Sequence, residues 1–215
     1  MRMREPIRRA RNALALAFPA FLLLSLAGCA VKKVPPVRTY TLAVETPGIG
    51  RAALPSPRYG NLKVTVDANG RLAGTRNIYY LDADYRLQPY AYHRWYDTFA
   101  TMLENKLLVA LEEANAARNV LGATALQPAD ATLRVEVVEA CVDVTDPNRP
   151  KARLRLMATL RNEKGETKTK MFEESVEAKS LTPEAGVKAF NDAANQAALA
   201  LVRWLETAMN VMNGH

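Results

Sequence analysis

Apolar residues recur along this chain in two rhythms, and the changes of rhythm mark its elements. Leu62, Val64 and Val66 alternate with Lys63 and Thr65, the period-two pattern of a half-buried strand, which ends at the Asp67–Gly70 turn. Arg38–Ala43 alternates in the same way and reads as a first strand, and Ile78-Tyr79-Tyr80 opens an extended segment running to about Tyr92. A helical rhythm follows. Tyr96, Phe99, Leu103, Leu107, Ala110 and Ala114 return every three or four residues as one apolar stripe, with Glu104, Lys106, Glu112 and Glu113 mostly off it.

Alternation resumes at Leu133, Val135 and Val137, then changes parity to Val138, Ala140, Val142 and Val144, which predicts a β-bulge near Val137–Val138. Leu154, Leu156, Ala158 and Leu160 alternate with Arg153, Arg155 and Arg161. Asn162-Glu-Lys-Gly165 supplies a turn, so residues 152–178 read as a hairpin. The last element opens with Thr182 as N-cap, Pro183 at the first helical position and the acid Glu184 in the first turn. Val187, Phe190, Ala194, Ala197, Leu201, Leu205 and Met209 line its apolar face. The order is β-β-β-α-β-β-β-α. Its simplest packing is an α+β fold: a mainly antiparallel sheet with two long helices on one face, in a single domain over residues 37–212.

The front end follows neither rhythm. Five arginines crowd the first eleven positions, and residues 13–26 then carry no charge. A basic stretch, a short apolar run and small residues make a secretory signal peptide, and fourteen apolar residues broken by Pro19 fall short of the ~20 that a spanning helix needs. Leu26-Ala27-Gly28-Cys29 resembles the lipobox of bacterial lipoproteins. Leu26 stands three before the cysteine, and Ala27 and Gly28 are the small residues recognised by the lipoprotein signal peptidase. That resemblance implies removal of residues 1–28 and attachment of diacylglycerol and an N-acyl chain to Cys29, with no other cofactor. Residues 29–36 then form a lipidated tether. Ala30 and Val31 follow the cysteine without an Asp that would retain the protein at the inner membrane, so the expected location is the outer membrane, facing the periplasm.

This leader also accounts for most of the charge. The chain is formally +7, but without its first eleven residues, which hold five of the 29 basic and one of the 22 acidic side chains, the remainder is +3. No nucleic-acid partner is implied, because Arg153, Arg155 and Arg161 lack interleaved aromatic platforms. With Cys29 acylated, Cys141 has no partner for a disulfide, and no neighbour in the sequence would lower its pKa. His93 and His215 are the only histidines and neither lies in a ligand-spaced cluster, so no catalytic or metal-binding residues are assigned. His93 is read as structural.

The aromatic residues are unevenly spread. Six of the eight tyrosines, with Trp95, fall between positions 79 and 96. Tyr79, Tyr85, Tyr90, Tyr92 and Trp95 are therefore the candidate protein interface, since such side chains supply apolar area with a polar tip; packing over the sheet edge is the alternative.

Several segments together resemble a known family. Arg38-Thr-Tyr-Thr-Leu42 soon after a lipidated cysteine is similar to the opening strand of the auxiliary lipoproteins of ABC-type transport systems, the PqiC-like family. Leu62–Val66, Asn77–Tyr80 and Leu87-Gln-Pro-Tyr-Ala-Tyr-His-Arg-Trp95 resemble its central signature, which leads into a helix such as Met102–Leu108. Ala129–Val137 and the Ala-rich last helix also fit, while Asp82–Arg86 departs from the family's short loop. The resemblance implies a non-enzymatic component of an MCE-type system that moves phospholipids or other hydrophobic molecules between membranes. Its partner would be an MCE-domain protein, docked by the lipoprotein at the outer membrane, with a homo-oligomeric ring as one form of assembly. A lipoprotein carrier of a hydrophobic ligand and an envelope-structural lipoprotein are the alternatives.

Overall fold

The computed structural model describes residues 34–212. The expected signal peptide, with Leu26, Ala27, Gly28 and Cys29, lies outside the described residues, as does His215. From Val37 onward the chain builds eight strands and two helices: β1 Arg38–Tyr40, β2 Tyr59–Ala68, β3 Asn77–Leu81, β4 Leu87–Trp95, α1 Phe99–Glu113, β5 Ala117–Leu121, β6 Ala131–Asp143, β7 Lys151–Asn162, β8 Thr167–Glu177 and α2 Pro183–Met212.

All eight strands join one mixed sheet organised around β6. Along one side β6 pairs antiparallel with β7, which pairs antiparallel with β8. Along the other, its first half pairs parallel with β2 and its last residues pair parallel with β3. β5 extends the sheet beyond β2 in parallel, and β4 extends it beyond β3 antiparallel, with β1 parallel at the edge. The long ladders are antiparallel, as the alternating pattern suggests, and four pairings are parallel. The register of β6 and β7 shifts between Val137 and Glu139, where the parity change predicts a bulge. Val137 and Ala140 face the core, and Val138 is pushed to the surface.

Two strands exceed the expected order. The extended segment beginning at Ile78 is a hairpin, β3–β4, because Asp82 folds the chain back: its Oδ1 accepts from the N–H groups of Asp84 and Arg86 at 3.0 and 2.9 Å. These backbone hydrogen bonds and the Arg86 guanidinium hold the Asp82 carboxyl below the usual carboxylate range. The other addition is β5, whose Ala-Arg-Asn-Val-Leu carries no alternation.

Both helices pack on one face of the sheet, α1 over β2 and β5, α2 over β7 and β8. Thr98 caps α1 by accepting from the Thr101 N–H, and Thr182 caps α2 by accepting from the Ala185 N–H at 3.3 Å. Gly186 sits where α2 passes directly over Val142 of β6. A Cβ there would lie 2.8 Å from Cγ2 of Val142, so any larger residue would push the helix away. Trp95, Phe99 and Phe190 meet edge-on or tilted, with ring centroids 5.5 to 5.7 Å apart, and tie β4 to both helices.

Leu201 is fully buried in the face that α2 presents to the sheet. Leu201→Ala should therefore cost about 2–5 kcal/mol by lost transfer energy and the cavity left behind, measurable by urea denaturation. Two residues depart from the expected α1 pattern. Tyr96 stands before the helix and is 70% exposed, and Lys106, read as off the stripe, is completely buried.

Candidate interaction surface

The aromatic segment separates into two populations. Trp95 and Tyr79 are buried, and the Tyr79 hydroxyl donates to the Arg71 carbonyl at 3.0 Å. Neither offers area to another molecule, so both leave the candidate interface and belong to the core. Tyr90 is half-buried against Tyr80, ring centroids 4.8 Å apart, and desolvation pushes its phenol up to about 12. Tyr85, Tyr92 and Tyr96 are exposed. Tyr85 is the tip of the β3–β4 hairpin and holds a left-handed backbone, φ 59°. Its β-carbon makes that conformation unfavourable, and the Asp82 hydrogen bonds around it hold the turn in place.

The split follows from a large irregularity. Tyr79 pairs with Pro89 and Asn77 with Arg94, so one β3 residue faces four on β4, from Tyr90 to His93. The extra residues turn Tyr90 and His93 inward and leave Ala91 and Tyr92 outside. Nothing in the aromatic spacing signals this.

His93 helps fasten the edge strand. Its Nδ1 lies 2.8 Å from the Tyr40 hydroxyl, which is also 3.2 Å from Oε1 of Glu184. With one proton, that hydroxyl donates to one of them at a time. Arg38 completes the cluster by pairing with Glu184. The Glu184 carboxyl is held below its ordinary value by its own backbone N–H at the helix start, and by Arg38 and Tyr40. Glu184 is thus more than a first-turn charge: it joins β1 to α2. Farther along, Asn191 accepts from the Ala43 N–H at 2.7 Å, and buried Lys106 donates to the carbonyls of Ala43 and Glu45 at 2.8 and 2.7 Å. Burial pushes the Lys106 ammonium down to about 8, against the pull of Glu45 and Glu113. The segment from β1 to Glu45 is therefore strapped across the helix layer by Glu184, Asn191 and Lys106.

Two of the outward arginines also have partners. Arg153 pairs with Glu139 at 3.1 Å and Asp143 at 3.3 Å, and Arg155 lies beside Glu139 and Glu173. Cys141 is buried next to this network, where burial and then Glu139 push its thiol up to about 12, leaving it protonated and unreactive at neutral pH. Among the described residues no group of acids, histidines and cysteines has the geometry to hold a metal, and no helix is long and apolar enough to cross a membrane. A cavity of about 560 Å³ lies between the end of β8 and the start of α2 and is open to solvent. Its lining includes Glu177, Lys179, Lys188 and Asp192, side chains suited to water rather than to an acyl chain.

Two solved structures share this architecture. A DUF330 protein from Xanthomonas campestris is 21% identical with a TM-score of 0.69, over 82% of this chain and 99% of its own. An uncharacterized protein is 15% identical with a TM-score of 0.62, over 80% of this chain and 99% of its own. At these identities the likeness concerns the fold. No curated protein matches the sequence. The family model for the ABC-type transport auxiliary lipoprotein component matches residues 40–202, from β1 to within α2, and the chain belongs to that family.

Proposed function

We propose that this auxiliary lipoprotein serves an MCE-type ABC system, anchored through lipidated Cys29 in the outer membrane and docking a periplasm-spanning MCE protein without catalysing a reaction itself. The observation that carries the reading is the family match across almost the whole folded domain. The lipobox adds the anchor, which the match does not cover. The exposed hairpin tip at Tyr85 adds a contact point, since it presents a large amphipathic ring on a turn pinned by Asp82. A carrier of hydrophobic ligands is less favoured, because the cavity at the start of α2 is lined by charged and polar side chains.

Affinity purification of the lipidated chain from membranes tests the reading. An MCE-domain protein should co-purify, and sucrose-gradient fractions should place both with outer-membrane markers. Cys29→Ala should abolish palmitate incorporation, because the thioether that carries diacylglycerol needs the Cys29 thiol. Palmitate labelling that survives the substitution refutes the anchor. Purification with a different class of ABC component refutes the MCE assignment.

A further inference from the structure

We infer that the outer face of β1 and of the last residues of β4 lies on an anionic bilayer surface, a contact that orients the domain beside its anchor; the inference rests on the reading that Cys29 is lipidated. Beyond the irregularity, β4 pairs regularly with β1, Arg38 opposite His93 and Thr39 opposite Arg94. Residues two apart project from the same face there. His93 and Trp95 turn inward toward the α2 cluster and the core. Tyr92, Arg94 and Tyr96 turn outward, together with Thr39, and Val37 precedes the strand.

These side chains are available. Tyr96 is 70% exposed, Val37 53% and Tyr92 37%. Among the described residues no carboxylate pairs with Arg94, whereas Arg153 and Arg155 lie among acids. Arg76 donates to the Tyr96 carbonyl at 3.2 Å, which brings a second guanidinium to the same end. The nearby Asp97 carboxylate accepts from the Thr98 N–H at 2.6 Å and keeps its negative charge, which the two guanidinium groups outweigh. Two tyrosines, an aliphatic residue and two cations are the composition favoured at headgroup level, where amphipathic rings settle and arginine meets anionic lipid.

The tether selects the occupant. Eight residue-to-residue steps lead from Cys29 to Val37, so at ~3.3 Å each the root of β1 stays within about 26 Å of the lipid-bearing residue. Lys32 and Lys33 fall among those intervening residues in the sequence and add positive charge. A surface held permanently near the bilayer needs little intrinsic affinity, because the anchor keeps the local concentration of lipid high. Tyr85 lies at the opposite end of β4 from Tyr96 and remains free for a protein partner.

The test is hydroxyl-radical footprinting of the lipidated full-length product, in detergent and in vesicles of phosphatidylethanolamine with a quarter phosphatidylglycerol. Tyr92 and Tyr96 should lose reactivity severalfold in the vesicles while Tyr85 stays as reactive as in detergent. Arg94→Glu should restore most of the lost reactivity without changing Tm. A chain that floats with the vesicles but keeps Tyr92 and Tyr96 fully reactive overturns the contact and leaves the anchor standing. Failure to float overturns both. Protection that appears in detergent and grows with protein concentration is self-association and also overturns the contact.

Discussion

Trp95→Ala is expected to cost the domain about 3–5 kcal/mol, the range for truncating a buried aromatic, and to lower Tm by roughly 10 °C or more. The indole is 2% exposed and packs on both Phe99 and Phe190, so its loss opens a cavity where the sheet and both helices meet. Tyr85→Ala should do the opposite. Its ring is 79% exposed, so stability should change little, while binding of the proposed MCE partner should weaken by at least ~2 kcal/mol if the hairpin tip is a hot spot. Thermal melts alongside partner pull-downs of the two variants separate core from surface. A Tyr85 variant that binds as tightly as wild type moves the docking point elsewhere. A Trp95 variant that melts like wild type would mean that the aromatic cluster does not hold β4 against the helices.

That contrast also measures what the sequence discloses. The amphipathic stripes, the cap at Thr182, the 152–178 hairpin and the bulge beside Val138 are local features, and each has a local pattern to betray it. Pairing partners are different. A parallel neighbour such as β6 for β2 is chosen by a crossover through β3, β4, α1 and β5, so no period in Leu62–Val66 announces it. The Tyr79–Trp95 segment was legible as unusual, but its division into buried and exposed rings depends on three extra residues in β4, and tyrosine suits either environment. Gly186 gave no sign of itself. Its role comes from Val142, 44 positions away, and only the fold brings the two together.

Lys106 lies furthest from what pattern reading reaches, and it should shape the pH dependence of stability. Read along α1 it is a polar residue off the stripe; in the fold, the loop after β1 covers it and takes two of its hydrogen bonds. Burial lowers its pKa from 10.5 to about 8, so between those values the unfolded chain holds a proton that the folded chain has released. Stability must then rise with pH, at a limiting slope of about 1.4 kcal/mol per unit. The neutral amine still carries two N–H groups for the carbonyls of Ala43 and Glu45, so the strap survives deprotonation. Cys141 and Tyr90 act in the opposite sense. Their folded values of about 12 exceed the ordinary 9.0 and 10.0, so above pH 9 the unfolded chain loses protons that the folded one keeps. Urea denaturation should therefore show stability rising by on the order of 1 kcal/mol from pH 7.5 to 9, levelling, and falling above 10. In Lys106→Met the rise should vanish while the alkaline fall remains, because methionine fills the buried channel without a proton to lose. If the variant keeps the rise, another group is responsible, and the ammonium is already well solvated within the fold.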